Sequence, residues 1–166
     1  MIHFPMRKTN RLQGYDYSQN GAYFITVCTK NKQMTLGTIE SNSLDKPVIW
    51  LSDSGEIARR FIESISITGS DVYVPNYIIM PNHIHLILVA GADDEDGTPR
   101  AASPTKALIP KTINALKGLS SKKAGFSMWQ RSYYDHIIRN DEDYARIDEY
   151  ITNNLASWQA DRFYTP

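Results

Sequence analysis

The sequence predicts an α+β fold in which helices flank an antiparallel sheet, a ferredoxin-like arrangement. Three runs of β-branched and aromatic residues, 21–29, 72–80 and 84–90, have the composition of strands. Apolar residues at helical spacing predict helices at about 53–66, after residue 105 and after residue 140. Short turns between strands favour antiparallel pairing, and the interspersed helices would cover the sheet.

Each remaining element has its own local signal. Residues 34–39 are predicted to pair with the first strand across a short polar turn, and 47–51 form a weak extended piece. Ser52 or Asp53 offers an N-cap to the first helix, and Pro81 separates the strands at 72–80 and 84–90. Pro110 suits the start of the helix predicted after residue 105, which is rich in lysine. A short strand is predicted at 136–139, and Asn140 can cap the last helix.

Composition excludes several classes of protein. The 166 residues fit one domain, 1–166, with 42% apolar and 22% charged residues and no net charge. The single cysteine, Cys28, cannot form an internal disulfide, and no apolar run is long enough for a signal peptide or a membrane span. We therefore expect a cytoplasmic globular protein.

The zero net charge hides a basic block. Residues 100–139 carry eight basic groups and one acidic group, which could meet phosphates or form a solvated helix face. Three aromatic residues within this block, Trp129, Tyr133 and Tyr134, could stack on unpaired bases or belong to the core. The candidate DNA-binding residues are Lys106, Lys111, Lys117, Lys122, Lys123, Trp129, Arg131, Tyr133, Tyr134 and Arg139.

The sharpest local signal is the pair His83 and His85, separated by Ile84. On a strand, residues two apart point to the same face, so both imidazoles would lie together. Two neutral imidazoles suit a divalent metal, whereas the alternative is two ordinary histidines at a strand start.

A second signal is Tyr150 with Asn154 on the last helix. These residues lie about 40° apart on the helix surface, beside the apolar stripe of Tyr144, Ile147, Ile151 and Leu155. A half-buried phenol and an amide oxygen could reach one ligand from there. Tyr133, Tyr134 and Tyr144 offer equivalent hydroxyls, and spacing alone does not choose among them.

Several segments together resemble a known family. Met80-Pro81-Asn82-His83-Ile84-His85, the segment 129–139 (WQRSYYDHIIR) and the early segments 14–17 (GYDY) and 21–26 (GAYFIT) are similar to the single-tyrosine HUH transposases. Within that superfamily they most resemble the REP-associated tyrosine transposase branch. The resemblance extends from about residue 11 to residue 158.

The resemblance implies a metal-dependent endonuclease and strand transferase that acts on single-stranded or hairpin DNA. His83 and His85 match the family's ligands for Mg²⁺ or Mn²⁺, Tyr150 matches its nucleophile, and Asn154 matches its amide ligand. Attack by the tyrosine would leave a 5′-phosphotyrosine link and a free 3′ hydroxyl. The family contains both monomers and homodimers.

The chain departs from the family pattern at two positions. Leu155 stands where a proline usually follows the asparagine, and Met80 stands where the insertion-sequence branch often has an acidic residue. The sequence therefore assigns no carboxylate ligand. Two alternatives stay open: a non-catalytic single-stranded nucleic-acid-binding module, and a metal-dependent phosphodiesterase or metal-storage protein that uses the histidine pair without forming a covalent DNA adduct.

Overall fold

The computed structural model describes residues 21–67, 71–91 and 108–164, and these ranges show the predicted α+β architecture. The elements are β1 (Gly21–Cys28), β2 (Gly37–Ser41), β3 (Pro47–Leu51), α1 (Asp53–Ile67), β4 (Val72–Met80), β5 (His83–Ala90), α2 (Leu108–Ala124), β6 (Tyr134–Ile138) and α3 (Asp141–Asn153). One antiparallel sheet has the strand order β4-β5-β1-β6. With α1 and α2 connecting its strands, this is a ferredoxin-like topology, so the predicted fold class is confirmed.

The two faces of the sheet are covered by different helices, because side chains alternate along each strand. Leu86 of β5 points to one face and belongs to a core with Ile62 of α1 and Ile113 of α2. The next residue, Ile87, points to the other face and packs with Ile147 of α3. Helices α1 and α2 therefore lie on one side of the sheet, and α3 lies on the other.

The predicted pairing of residues 34–39 with the first strand is wrong. β2 pairs with β3 in a separate two-stranded sheet, while β1 pairs with β5 and β6. Gly37 permits the close approach of β2 and β3, because a Cβ there would clash with the carbonyl oxygen of Trp50. The backbone N–H of Leu36 donates to the carbonyl of Pro81, at 3.0 Å, and ties this hairpin to the turn before β5.

The other elements lie close to their predicted positions. β5 begins at His83 and β6 spans Tyr134–Ile138, so both strands start one or two residues earlier than predicted. Asn140 caps α3, and its Oδ1 accepts from the backbone N–H of Asp143 at 2.8 Å. β4 contains a register irregularity between Tyr73 and Asn76. None of the described helices is long and apolar enough to cross a membrane.

Candidate active site

The centre of the site is the histidine pair at the start of β5. Both imidazoles lie on the face that α3 covers, as strand alternation predicts, and their Nε2 atoms are 3.0 Å apart. His83 is fully buried and His85 is 1% exposed. Burial, with repulsion from His85, lowers the pKa of His83 to about 3, and burial also lowers the pKa of His85. Both rings are therefore neutral, the state in which imidazole binds a metal.

Asn82 determines which nitrogen of His83 carries the proton. Its Nδ2 donates to the carbonyl oxygen of Phe163 at 2.8 Å, so its Oδ1 faces His83 as an acceptor. His83 Nδ1 therefore donates to Asn82 Oδ1, at 2.8 Å, and the lone pair of His83 remains on Nε2. In the sequence, Asn82 stands out only as a member of the segment 80–85 that resembles the transposases, with no role of its own. Its buried amide instead orients the first histidine.

Thr26 is the partner of the second histidine. Its Oγ1 lies 2.7 Å from His85 Nδ1 on the adjacent strand β1. A hydroxyl can donate or accept, so Thr26 matches either tautomer of His85. When Thr26 accepts from Nδ1, the Nε2 lone pair of His85 is free beside that of His83.

Tyr150 approaches the pair from α3. Its hydroxyl lies 3.3 Å from His85 Nε2 and donates to Asp161 Oδ2 at 3.2 Å. The residue is 41% exposed, so its oxygen is close to the histidines while one side of the ring remains open to solvent. Burial, followed by the negative charge of Asp161, raises the pKa of the Tyr150 phenol. The phenol is therefore protonated near neutral pH.

Asn154 lies at the C-terminal end of α3, one turn beyond Tyr150. It is 1% exposed, and its Nδ2 donates to Asp161 Oδ2 at 3.0 Å. Among the described residues, no hydrogen-bond donor reaches its buried Oδ1. A buried acceptor without a donor is costly unless something else satisfies it, which a cation would do.

Asp161 is a residue of the site that the sequence does not reveal. Its carboxylate follows the 3₁₀ turn Trp158–Ala160, and one ligand atom each from His83, His85 and Asp161 lie within 4.8 Å of one another. Burial alone would raise the pKa of this carboxyl group. The His85 imidazole, with its Nε2 3.9 Å from Asp161 Oδ2, and hydrogen bonds from the Phe163 N–H and from Asn154 Nδ2 nevertheless hold this pKa below its usual range. No spacing or motif separates Asp161 from the other acidic residues, because the turn that returns the chain to the sheet is not visible in the sequence.

The donors present at this site fit a divalent cation. One nitrogen of each imidazole and a carboxylate oxygen of Asp161 lie within 4.8 Å of one another, and Asn154, which donates to Asp161, has a buried Oδ1 that no donor among the described residues reaches. Mixed nitrogen and oxygen donors suit Mn²⁺, and Mg²⁺ takes such oxygen donors together with water and phosphate. The site therefore fits the kind of metal that the resemblance implies.

A second group that the sequence analysis missed covers the pair. The ring of Phe163 lies 4.8 Å from the His83 ring, and Trp158 lies 5.9 Å from it, measured between centroids. Two cations flank Phe163: the Arg162 guanidinium lies 4.6 Å and the Lys32 ammonium 5.7 Å from its ring centroid. Positive charge is therefore available beside the histidines, outside the basic block singled out in the sequence.

The predicted DNA-binding residues do not form one surface. Trp129 is 5% exposed and Tyr133 is 1% exposed, so the expectation that they stack on bases is corrected: their rings belong to the core. Trp129 Nε1 donates to Ser120 Oγ at 2.7 Å, which satisfies the indole inside the protein. Tyr134 is half-buried and lies beside the histidine site, with its ring 5.7 Å from Phe163.

Four of the predicted basic residues lie on α2, away from the histidines. Helix α2 packs on the face of the sheet opposite the histidine pair, and it carries Lys111, Lys117, Lys122 and Lys123. Lys117 Nζ donates to the carbonyl oxygen of Arg131 at 2.8 Å. Arg131 and Arg139 are exposed. Arg100, Lys106 and residues 14–17 lie outside the described residues.

Tyr144 belongs to the apolar stripe of α3, and membership of that stripe predicts that its side chain is buried. It is partly buried, because it packs at the edge of the small α3 core and not at its centre. It precedes Tyr150 by six residues, about 9 Å along the helix axis. The phenol that meets the histidines is therefore that of Tyr150.

Sequence comparison finds relatives that match most of the chain. No protein-family model matches the chain. An uncharacterized protein of Haemophilus influenzae is 33% identical over 174 residues, covering 95% of this chain and 93% of the relative. A REP-associated tyrosine transposase of Escherichia coli is 25% identical over 138 residues, covering 83% of this chain and 68% of the relative.

A solved structure has the same fold. A REP-associated tyrosine transposase bound to a REP hairpin matches with a TM-score of 0.63 at 19% identity, over 89% of this chain and 73% of that chain. The fold and the relatives define an enzyme of the transposase type. The relatives that carry a name are REP-associated tyrosine transposases at 24–25% identity, and the chain is similar to that branch of the transposases.

Proposed function

We propose that this protein is a metal-dependent single-stranded DNA endonuclease and strand transferase with Tyr150 as its nucleophile. The observation that carries the proposal is the position of the Tyr150 hydroxyl, 3.3 Å from His85 Nε2 in the buried histidine pair. A tyrosine with only a structural role would not need candidate metal ligands such as His85 and Asp161 beside its hydroxyl. A metal-storage site would not need a phenol that remains 41% exposed.

His83, His85 and Asn154 would hold Mg²⁺ or Mn²⁺, with Asp161 beside them. When bound, the cation offsets charge on the phosphoryl oxygens. Asn82 and Thr26 orient the two imidazoles, and the hydrogen bond to Asp161 directs the Tyr150 hydroxyl. These contacts would hold the groups in place before DNA arrives.

In the proposed reaction the Tyr150 oxygen forms a bond to phosphorus, and the bond from phosphorus to the 3′ oxygen breaks. The 3′ oxygen leaves and takes up a proton as a hydroxyl. Asp161 Oδ2, 3.2 Å from the phenol, is the carboxylate in reach of the phenolic proton. The 5′-phosphotyrosine link preserves the phosphodiester energy, so rejoining to another 3′ hydroxyl needs no nucleotide cofactor.

The proposed partner is single-stranded or hairpin DNA. The solved structure with the same fold is bound to a REP hairpin, and the site here has cations and aromatic rings around the phenol. We further propose that residues 1–166 act as one domain in the cytoplasm, where Cys28 would stay reduced.

The test is covalent capture. The chain is incubated with Mn²⁺ and a pool of hairpin oligonucleotides with randomised single-stranded flanks, labelled at the 3′ end, and is then run on a denaturing gel. Attack by Tyr150 leaves the 3′ fragment on the protein, so a labelled protein band is expected. The same pool labelled at the 5′ end should give only shorter free strands.

Two variants assign the nucleophile. Tyr150→Phe keeps the ring, folds with nearly unchanged stability and still binds DNA, but should give no adduct. Tyr144→Phe removes an equivalent hydroxyl on the same helix and should retain the adduct. An adduct in Tyr150→Phe contradicts the assignment, and DNA binding without any adduct in the natural chain identifies a non-catalytic binding module.

A further inference from the structure

A cleft of about 740 Å³ adjoins the phenol of Tyr150. One wall is the α3-facing side of β1 and β6, where Thr26 is paired with Tyr134 and Phe24 with His136. Helix α3 forms the opposite wall with Arg146, and Arg162 follows Asp161 at the rim. The cleft is within the size range of small-ligand sites.

The lining of this cleft combines flat apolar rings with guanidinium groups. Phe24 and Tyr134 are half-buried, so part of each ring is accessible. The Arg162 guanidinium lies 5.4 Å from the Tyr134 ring centroid. Aromatic rings on a sheet surface and arginine planes are the groups on which proteins stack unpaired bases.

The inner end of the cleft is the reaction centre. Tyr150 and His85 both line it, and the Phe24 ring lies 6.0 Å from the Tyr150 ring in an edge-to-face arrangement. A phosphate at the Tyr150 oxygen would therefore carry its neighbouring nucleoside into this space. Asp135 also lines the cleft, and Asp143 is paired with the lining residues His136 and Arg146, which reduces its repulsion of a phosphate.

We infer that this cleft binds the unpaired deoxynucleotide next to the phosphate that Tyr150 attacks. The inference rests on the proposed function. The base stacks against Tyr134 and Phe24, and Arg162 contacts the base or its phosphate. The base must be out of a duplex to enter, so the cleft selects single-stranded DNA at the cleavage position.

The test uses nucleotide fragments and the full chain, without metal. Amide spectra of the ¹⁵N-labelled protein are recorded with dAMP, dGMP, dCMP and dTMP, and with deoxyribose 5-phosphate as the baseless control. We expect millimolar binding of at least one nucleotide. Its shifts should centre on β1, β6 and α3, and the baseless sugar phosphate should bind at least fivefold more weakly.

Variants locate the binding. Tyr134→Leu keeps an apolar side chain and removes the stacking face, and Arg162→Gln removes the guanidinium. Each should weaken nucleotide binding at least threefold. Tyr73→Leu and Arg60→Gln, which change exposed residues of the same types on β4 and α1, should leave it unchanged. Equal binding of deoxyribose 5-phosphate, shifts centred on α2, or no binding by about 20 mM would overturn the inference.

The failure of this inference is distinguishable from the failure of the proposed function. An abasic site beside the cleaved phosphate should slow adduct formation at least tenfold. Adduct formation at an unchanged rate would refute the nucleotide cleft and leave Tyr150 as the nucleophile. Nucleotide binding without an adduct on any DNA would support the cleft and refute the proposed reaction.

Discussion

Asn82 is the residue on which the orientation of the histidine site depends. It is fully buried, donates to the carbonyls of Phe163 and Lys32, and accepts from His83. It therefore links the 3₁₀ turn Lys30–Lys32, which follows β1, to the start of β5 and to the C-terminal segment. A single side chain joins three parts of the chain that are distant in sequence.

Replacement of Asn82 by alanine should weaken both folding and metal binding. Unsatisfied carbonyls and an unoriented imidazole should lower the unfolding free energy by about 1–3 kcal/mol and Mn²⁺ affinity about 10–100-fold. Urea denaturation in EDTA and Mn²⁺ titration measure the two effects. Asn42→Ala removes an amide that accepts from Leu44 and Lys46 in the β2–β3 turn, and it should leave Mn²⁺ affinity unchanged. A normal Mn²⁺ affinity in Asn82→Ala would contradict the orienting role.

Cys28 should make folding stability sensitive to alkaline pH. Burial raises the pKa of its thiol to about 11 from an ordinary 9.0. The folded state therefore holds the proton more tightly than the unfolded state, and this contribution to stability is complete below pH 9 and lost between pH 9 and 11. The difference between the unfolding free energies of the natural chain and Cys28→Ala should fall across that interval. A difference that is constant from pH 8 to 11 would contradict this.

At the scale of elements, the sequence predicted periodic features better than pairings. Alternation placed both histidines on one face, and Asn140 and the apolar spacing located α3. The partner of β2 was predicted wrongly, because alternation shows a strand's faces but not its neighbour. The burial of Trp129 and Tyr133 is not predictable in this way, because aromatic residues outside regular elements carry no periodicity that would reveal it.

The N-cap of α3 should stabilise the segment that carries Tyr150. Asn140 Oδ1 accepts from the Asp143 N–H, which leaves one fewer unsatisfied donor at the first turn. Asn140→Ala should lower the unfolding free energy by about 1 kcal/mol, whereas Asn140→Ser should lose much less. Chemical denaturation of the two variants checks this. Equal losses for alanine and serine would show that the side-chain cap contributes nothing.

At the scale of the whole molecule, positive charge is divided between two sides of the sheet. Helix α2 and its lysines lie on one side, and Arg146, Arg162 and the histidine site lie on the other. Composition alone drew attention to the α2 side, since residues 100–139 hold most of the excess charge. The cations beside Tyr150 were missed because they are sparse in sequence and meet only after folding.

We expect this division of charge to separate DNA affinity from the chemical step. Lys122→Gln with Lys123→Gln should weaken DNA binding and reduce its salt dependence by up to about two phosphate contacts, because both side chains are exposed. Once DNA is saturating, the rate of adduct formation should not change, since α2 is on the opposite face from Tyr150. Affinity across a salt series and single-turnover rates measure these effects. An unchanged salt dependence of DNA affinity would show that these two lysines are solvated and make no phosphate contacts.

The register irregularity in β4 has a consequence for the position of the nucleophile. Tyr73 pairs with Val89, yet Asn76, three residues later, pairs with Ile87 on the same face of the sheet. From that face Asn76 Nδ2 donates to Asp148 Oδ1 on α3, at 2.6 Å. The extra residue in β4 thus acts as a spacer. Deleting Val74 would restore regular pairing and the spacing of two, but it would leave a proline inside the ladder, whereas the bulge gives Pro75 a place without a backbone donor. The number of residues in the edge strand β4 therefore sets the position of Asn76. Asn76 in turn holds α3 at Asp148, two residues before Tyr150.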